Sequence, residues 1–295
     1  MSSLTTFDST KESLQDILRS IAQGKTQLPD FQREWVWDDE HVKGLLASIS
    51  LAHPIGAVMM LQTGGESIKF KPRLVEGVSL DQLPPPERLI MDGQQRLTSL
   101  FQALLCGRPV HTRDVRKVPI KRWYYLQIEK ALSGIDRDEA VLGIPEDKKV
   151  RNFRGEVIAD YSTTEKECAA GMLPLSLVFD VAGLNSWQRI YMQGDTTQLP
   201  ERVAKWVRFL ESVIQPFQQY QVPLIILRKE TPKVGVCLVF ERVNTGGVPL
   251  TVFELLTATF AAEDFNLRKD WEERKKSLAK YEVLAKIESS DFLQA

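Results

Sequence analysis

Long apolar runs are missing from this 295-residue chain; no stretch approaches the roughly 20 residues that a membrane-spanning helix needs. An excess of one charge is missing too. With 38 Lys and Arg against 39 Asp and Glu, the net charge of −1 excludes a uniformly basic nucleic-acid coat, while local basic patches remain open. Cysteine is scarce: Cys106, Cys168 and Cys237 lie far apart, which argues against a disulfide framework and fits buried thiols in a reducing, cytoplasmic setting. The three histidines, His41, His53 and His111, form no HxxxH or HxxEH pair, so neither a zinc site nor an intact HNH-type nuclease centre is expected from them. A GxxxxGK[ST] phosphate loop and a GxSxG elbow are also absent. Met1-Ser2-Ser3-Leu4-Thr5 has no charged segment followed by an apolar core, and so does not read as a secretory signal.

What is present is concentrated at Asp92-Gly93-Gln94-Gln95-Arg96. The apolar Leu89-Ile90-Met91 precedes it, and apolar residues at 97, 100, 101, 104 and 105 follow at helical spacing, with Gly107 as a C-cap candidate. The segment reads as strand, tight turn, helix. Its polar residues fall at the helix N-terminus, where free N–H groups and the dipole favour an anion such as phosphate.

Other elements can be placed around it. Ser9-x-x-Glu12 has the form of a capping box, followed by Leu14, Ile17, Leu18 and Ile21 at helical spacing as far as Gly24. Asp38 is a cap for a second helix with Val42, Leu45, Leu46 and Ile49 on its apolar face. Ile55–Leu61 reads as a buried strand, 63–88 as a Gly- and Pro-rich stretch with a strand around Ile68–Val75, Trp123–Ile128 as a strand, and Glu201–Tyr220 as a helix with Val203, Val207, Leu210 and Ile214 on one face. Val222–Leu227 is a strand candidate. Thr231-Pro232 opens a helix through Val236, Val239, Phe240 and Val243, Thr251-x-x-Glu254 opens another, and a charged helix spans about Leu267 to Lys280. The expected fold class is α+β: a small mixed sheet with helices around it and a mostly helical additional region. Residues 1–110 and 220–265 form the core, 111–219 an insertion or peripheral subdomain, and 266–295 the start of a helical region cut short by truncation.

Three segments set polar residues at element boundaries: Asp30-Phe31-Gln32-Arg33 with Trp37, Asp92–Arg96, and Phe240-x-Arg242-x-Asn244-Thr245-Gly246. Taken singly, the first reads as a loop with an arginine on an aromatic ring and the third as a helix C-cap turn. Guanidinium forks match phosphate oxygens, and a carboxylate beside a phosphate site holds Mg²⁺ or orients a water. In combination and order the three segments resemble the N-terminal domain of GmrSD-type, modification-dependent restriction endonucleases, the "DGQQR" group related to the ParB/sulfiredoxin-like fold.

That resemblance implies a nucleotide-binding, NTP-hydrolysing domain that licenses DNA cleavage in an anti-phage defence protein. Its partners would be a nucleoside triphosphate (ATP, GTP or another), modified DNA, and an HNH-type nuclease on a C-terminal domain or separate subunit; no membrane is involved. Under it, Asp92, Gln94, Gln95 and Arg96 are the catalytic candidates, with Asp92 holding Mg²⁺ and Gln94 or Gln95 positioning water. Gln32, Arg33, Trp37, Gly93, Arg242, Asn244, Thr245 and Gly246 would bind the nucleotide, and Trp35 or Trp37 could stack on its base. The rival reading is a non-hydrolytic module that senses nucleotide or DNA phosphates. A nuclease within the chain itself is the weakest reading, because no spaced PD-(D/E)xK-like set stands out.

Overall fold

A computed structural model describes residues 7–32, 34–65, 70–134, 137–193, 196–232, 235–236, 239, 257, 267–278 and 280. In chain order the first half gives β1 (Phe7–Ser13), α1 (Leu14–Ala22), β2 (Thr26–Pro29), α2 (Asp39–Ser50), β3 (Val58–Gln62), β4 (Pro72–Arg73), β5 (Arg88–Asp92), α3 (Gln94–Leu104), β6 (Val110–Arg113) and β7 (Pro119–Gln127). Then come α4 (Ile128–Leu132), α5 (Arg137–Ala140), β8 (Val141–Pro145), β9 (Lys149–Arg151), β10 (Val157–Asp160), α6 (Thr164–Ala169), β11 (Met172–Pro174), α7 (Val181–Tyr191), α8 (Leu199–Phe209), α9 (Gln215–Gln218) and β12 (Gln221–Leu227). A helix at Leu267–Leu278 matches the charged helix expected there.

The main sheet is mixed and six-stranded, in the order β1-β12-β3-β5-β2-β4. Its central strands are apolar on both faces because both are covered. Val58 and Met60 of β3 and Ile90 of β5 point into the larger core with α1, α2 and α3. Met59, Leu61, Leu89, Met91 and Leu227 point the other way, where Phe70 and Val236 cover them. This is the period-two alternation of a strand applied twice, once to each core. The apolar stripes expected for the first two helices are the ones buried: Leu14, Ile17, Leu18 and Ile21 on α1, and Val42, Leu45, Leu46 and Ile49 on α2. Asp38 caps α2, its carboxylate accepting from His41 N at 3.0 Å.

The α+β class is met, with three departures of detail. Ser9-x-x-Glu12 is no capping box: it lies in β1, which pairs antiparallel with β12 from Phe7↔Leu227 to Ser13↔Gln221, and Glu12 instead takes a two-pronged ion pair from Arg88 at 2.5 and 3.0 Å. The expected long helix over 201–220 breaks into α8, a π-turn at Leu210–Ile214 and α9. Val203 and Val207 are 43% and 45% exposed, while Trp206, Phe209, Val213, Ile214 and Phe217 are buried. The aromatic side chains carry more apolar area than valine and win the inward face, and the π-turn resets the helical phase beyond them. Of the strand expected around Ile68–Val75, only Pro72–Arg73 is strand among the described residues.

Residues 111–219 hold more strand than the sequence reading placed there. β7 is the spine of a second sheet, with β8 along one edge and β6 and β11 in tandem along the other. Strand β7 contains the expected Trp123–Ile128 strand except Ile128, which opens α4. Its Tyr124 and Leu126 share the larger core with α1–α3, as do Trp187, Trp206 and Phe217, so a continuous core joins the two regions.

Candidate functional site

The Asp92–Arg96 segment adopts the strand, turn and helix that its sequence predicts. β5 ends at Asp92, Gly93 turns with φ +89°, and α3 begins at Gln94. The positive φ and the close approach of the chain to β3 both demand glycine here: a Cβ would sit 2.8 Å from Val58 Cγ2. Gly93 offers no side-chain cap, so the turn leaves the first backbone N–H groups of an 11-residue helix to be satisfied from outside the helix.

Arg96 is engaged on three sides. Its Nη1 donates to Ile55 O at 2.6 Å, and its Nη2 donates to Ala57 O at 3.0 Å and to Asp92 Oδ2 at 3.2 Å. The guanidinium therefore ties the segment before β3 to the end of β5 and fixes one oxygen of the Asp92 carboxylate. Tyr220 holds the same segment from the far side, its hydroxyl donating to His53 O at 2.6 Å and accepting from Ile55 N at 3.1 Å. Burial pushes the Tyr220 hydroxyl above the ordinary tyrosine value, which keeps it a neutral donor, with the nearby Arg96 charge acting in the opposite direction.

The buried amides hold the other flank. Gln95 accepts from Val36 N at 2.9 Å and donates to Glu34 O at 3.2 Å, so its side chain binds the 34–36 backbone at both ends. Gln32 donates to Ile90 O and Met91 O at 2.7 and 3.1 Å. Trp35 Nε1 donates to Ser99 Oγ on α3 at 2.9 Å, and Trp37 O accepts from Thr112 Oγ1 at 2.8 Å. Gln32 and residues 34–37 are thus laid against the Asp92–Arg96 turn, and the first two sequence motifs meet. Gln94 is buried beside Gln95 at the start of α3. The Asp92 side chain is 31% exposed, open enough for a ligand to reach. Arg33, Arg242, Asn244, Thr245 and Gly246 lie outside the described residues.

Two participants carried no sequence signal. Glu76, in the Gly- and Pro-rich stretch, accepts from Trp35 N at 3.2 Å and from Arg73 Nη1 at 2.9 Å, bracing the loop from behind. Tyr220, at the start of β12, acts on a segment 165 residues earlier in the chain. Among the described residues, no group of three or more His, Cys, Asp or Glu side chains is placed to hold a metal ion.

A family model described as the GmrSD restriction endonuclease, N-terminal domain, matches residues 14–261. The chain belongs to this family. An uncharacterized protein of Methanocaldococcus jannaschii is 27% identical over 277 residues, which are 89% of this chain and 43% of the relative. The chain thus spans less than half the length of that relative. The match to the GmrSD N-terminal domain contains the 30–37 segment, the Asp92–Arg96 turn and the Arg242–Gly246 stretch. In this GmrSD N-terminal domain the polar residues of the turn divide by task. Gln95 and Arg96, like Gln32 beside them, fasten neighbouring backbone, while the Asp92 carboxylate at the start of α3 stays partly exposed. Among the described residues no helix is long and apolar enough to cross a membrane.

Proposed function

We propose that this domain binds a nucleoside triphosphate at the Asp92–Arg96 turn and hydrolyses it with Mg²⁺. Turnover would license cleavage of modified DNA by an HNH-type nuclease on a C-terminal domain or separate subunit, in the cytoplasm. The observation that carries the reading is the juxtaposition of the accessible Asp92 carboxylate, fixed by Arg96 at 3.2 Å, with the start of α3 behind a left-handed Gly93. Helix N-termini favour phosphate through their free N–H groups and dipole.

A lone carboxylate suits Mg²⁺, which keeps several waters and takes only one or two protein carboxylates beside substrate phosphates. Asp92 would hold the ion, whose chemistry is to neutralise charge developing on the phosphate oxygens. Gln94 or Gln95 would position the attacking water, and in that role Gln95 would have to release the 34–36 backbone that its amide holds at both ends. Arg96 acts first as the residue that positions Asp92, and it adds its charge to the phosphate site. Arg33, Arg242, Asn244, Thr245 and Gly246 remain the proposed phosphate and nucleotide contacts on the facing side, with Trp37 beside the base.

That same commitment of Gln95 favours a second reading: a module that binds nucleotide without hydrolysing it. Calorimetric titration with nucleotides and Mg²⁺, run beside a phosphate-release assay on the same protein, separates the two. Binding with turnover supports the hydrolase, binding without turnover selects the sensor, and absence of both refutes the site.

A further inference from the structure

The β6–β7 ribbon concentrates positive charge. Between residues 108 and 122 the chain carries Arg108, Arg113, Arg116, Lys117, Lys121 and Arg122 against one acid, Asp114, in a protein with a net charge of −1. That acid is turned inward, its Oδ1 accepting from Arg116 N and Val118 N at 2.9 Å each. The turn is closed by Asp114 N to Val118 O at 3.0 Å and Lys117 N to Asp114 O at 2.8 Å, with Lys117 at φ +63°. The tip is therefore a built turn that presents Arg116 and Lys117 to solvent, with the exposed Val115 and Val118 beside them. Among the described residues Arg113, Arg116 and Lys117 have no carboxylate partner, whereas Lys121 is paired with Glu146 at 2.9 Å.

Between this ribbon and the Trp35–Trp37 segment runs an open groove of about 610 Å³, lined by Trp35, Trp37, Thr112 and Arg122 among others. Arg122 has its Nε buried with no hydrogen-bond partner among the described residues. Arg122 also lies near the Asp39 carboxylate, so the charge left without a carboxylate partner is at Arg113 and the tip, which suits a polyanion.

We propose that the ribbon binds DNA, with backbone phosphates on Arg113, Arg116 and Lys117. Guanidinium forks match phosphate oxygens, and a two-stranded ribbon fits the major groove of a duplex. An acidic polypeptide would satisfy the charges but offers no groove of the width that a two-stranded ribbon fills. The proposal rests on the reading that this domain acts with a DNA substrate, and it is independent of nucleotide turnover.

The test is fluorescence anisotropy of a labelled duplex titrated with the full chain over a range of salt. Arg116→Glu with Lys117→Glu alters only the exposed tip, and Lys130→Glu with Arg189→Glu makes the same charge change on the exposed surfaces of α4 and α7. The tip variant is expected to bind at least about tenfold more weakly and to lower the slope of log K against log[salt] by about 2, with the control close to the parent. Parental affinity and slope in the tip variant would overturn the proposal, as would an equal loss in the control or better competition by poly-glutamate than by unlabelled duplex. Phosphate release is measured on the same preparations. DNA binding through the tip without NTP turnover sinks the hydrolase alone, and turnover without DNA binding sinks the DNA arm alone.

Discussion

Replacing Arg96 with alanine removes a guanidinium that bonds Ile55 O at 2.6 Å, Ala57 O at 3.0 Å and Asp92 Oδ2 at 3.2 Å. Hydrogen bonds from a charged group contribute about 1.5–3 kcal/mol each when buried. Here the side chain is 18% exposed and the Ala57 bond lies at the surface, so values below that range apply. The three bonds share one donor group and are not additive, which brings the expected loss to about 3 kcal/mol. For a chain of 295 residues that lowers the thermal midpoint by roughly 5 °C. Circular dichroism melts give the size of the effect, and hydrogen exchange gives its place. Amides at 53–58 should lose protection first, because between the His53 N bond to Ser48 O and the β3 ladder at Val58 the segment is then left to Tyr220. Arg96→Lys keeps the charge but supplies a point donor in place of a fork, and should recover about half the loss. An Arg96→Ala protein with the parental midpoint and parental protection at 53–58 would refute the positioning role.

Three further outcomes follow from the same contacts. Gly93→Ala, forced into φ +89° with its Cβ 2.8 Å from Val58 Cγ2, should cost about 2–4 kcal/mol in urea unfolding, whereas Gly107→Ala, at φ +67° with nothing within 4 Å, should cost about 1 kcal/mol; equal costs would contradict the packing argument. Gln95→Ala removes two neutral hydrogen bonds to the 34–36 backbone, a loss of about 2 kcal/mol, and should speed chymotryptic cleavage at Trp35; an unchanged cleavage rate would count against the clamp. Burial raises the Asp39 carboxyl above the ordinary aspartate value, with the Tyr124 hydroxyl opposing at 2.9 Å, so the folded state binds that proton more tightly than the unfolded one. Its contribution is fully present below the unfolded value and is lost as pH rises through the folded value. The unfolding free energy of Asp39→Asn minus that of the parent should therefore rise as pH goes from acid toward neutral, and a difference that falls over that span would contradict the sign.

The turn was legible in the sequence because its determinants are local. A glycine between an apolar strand and a helix with apolar residues at 97, 100, 101 and 104 admits few other conformations. The meeting of Gln32 with β5 was legible only as a shared polar character, since the bonds to Ile90 and Met91 span 58 and 59 residues. Ser9-x-x-Glu12 misled because the local pattern of a cap is identical whether or not a strand pairs with it, and here the decision belongs to β12, more than 200 residues later. The exposed Val203 and Val207 show the same limit in a helix: two stripes competed, and the side chains of Trp206 and Phe209 found the larger core. The second sheet escaped notice because β6 and the first half of β7 alternate with charged residues on a solvent face and lack long apolar runs. The bonds from Arg96 to Ile55 O and Ala57 O span 41 and 39 residues, and no spacing rule in the sequence announces them.

The measurement that tests the central claim most directly is phosphate release from nucleoside triphosphate with Mg²⁺ by the parent chain and by Asp92→Asn. The amide keeps an oxygen for Arg96, so the fold should hold and the thermal midpoint should stay near the parent's. The account predicts turnover in the parent and a loss of at least about a hundredfold in Asp92→Asn. A well-folded Asp92→Asn chain that releases phosphate at the parental rate would contradict it.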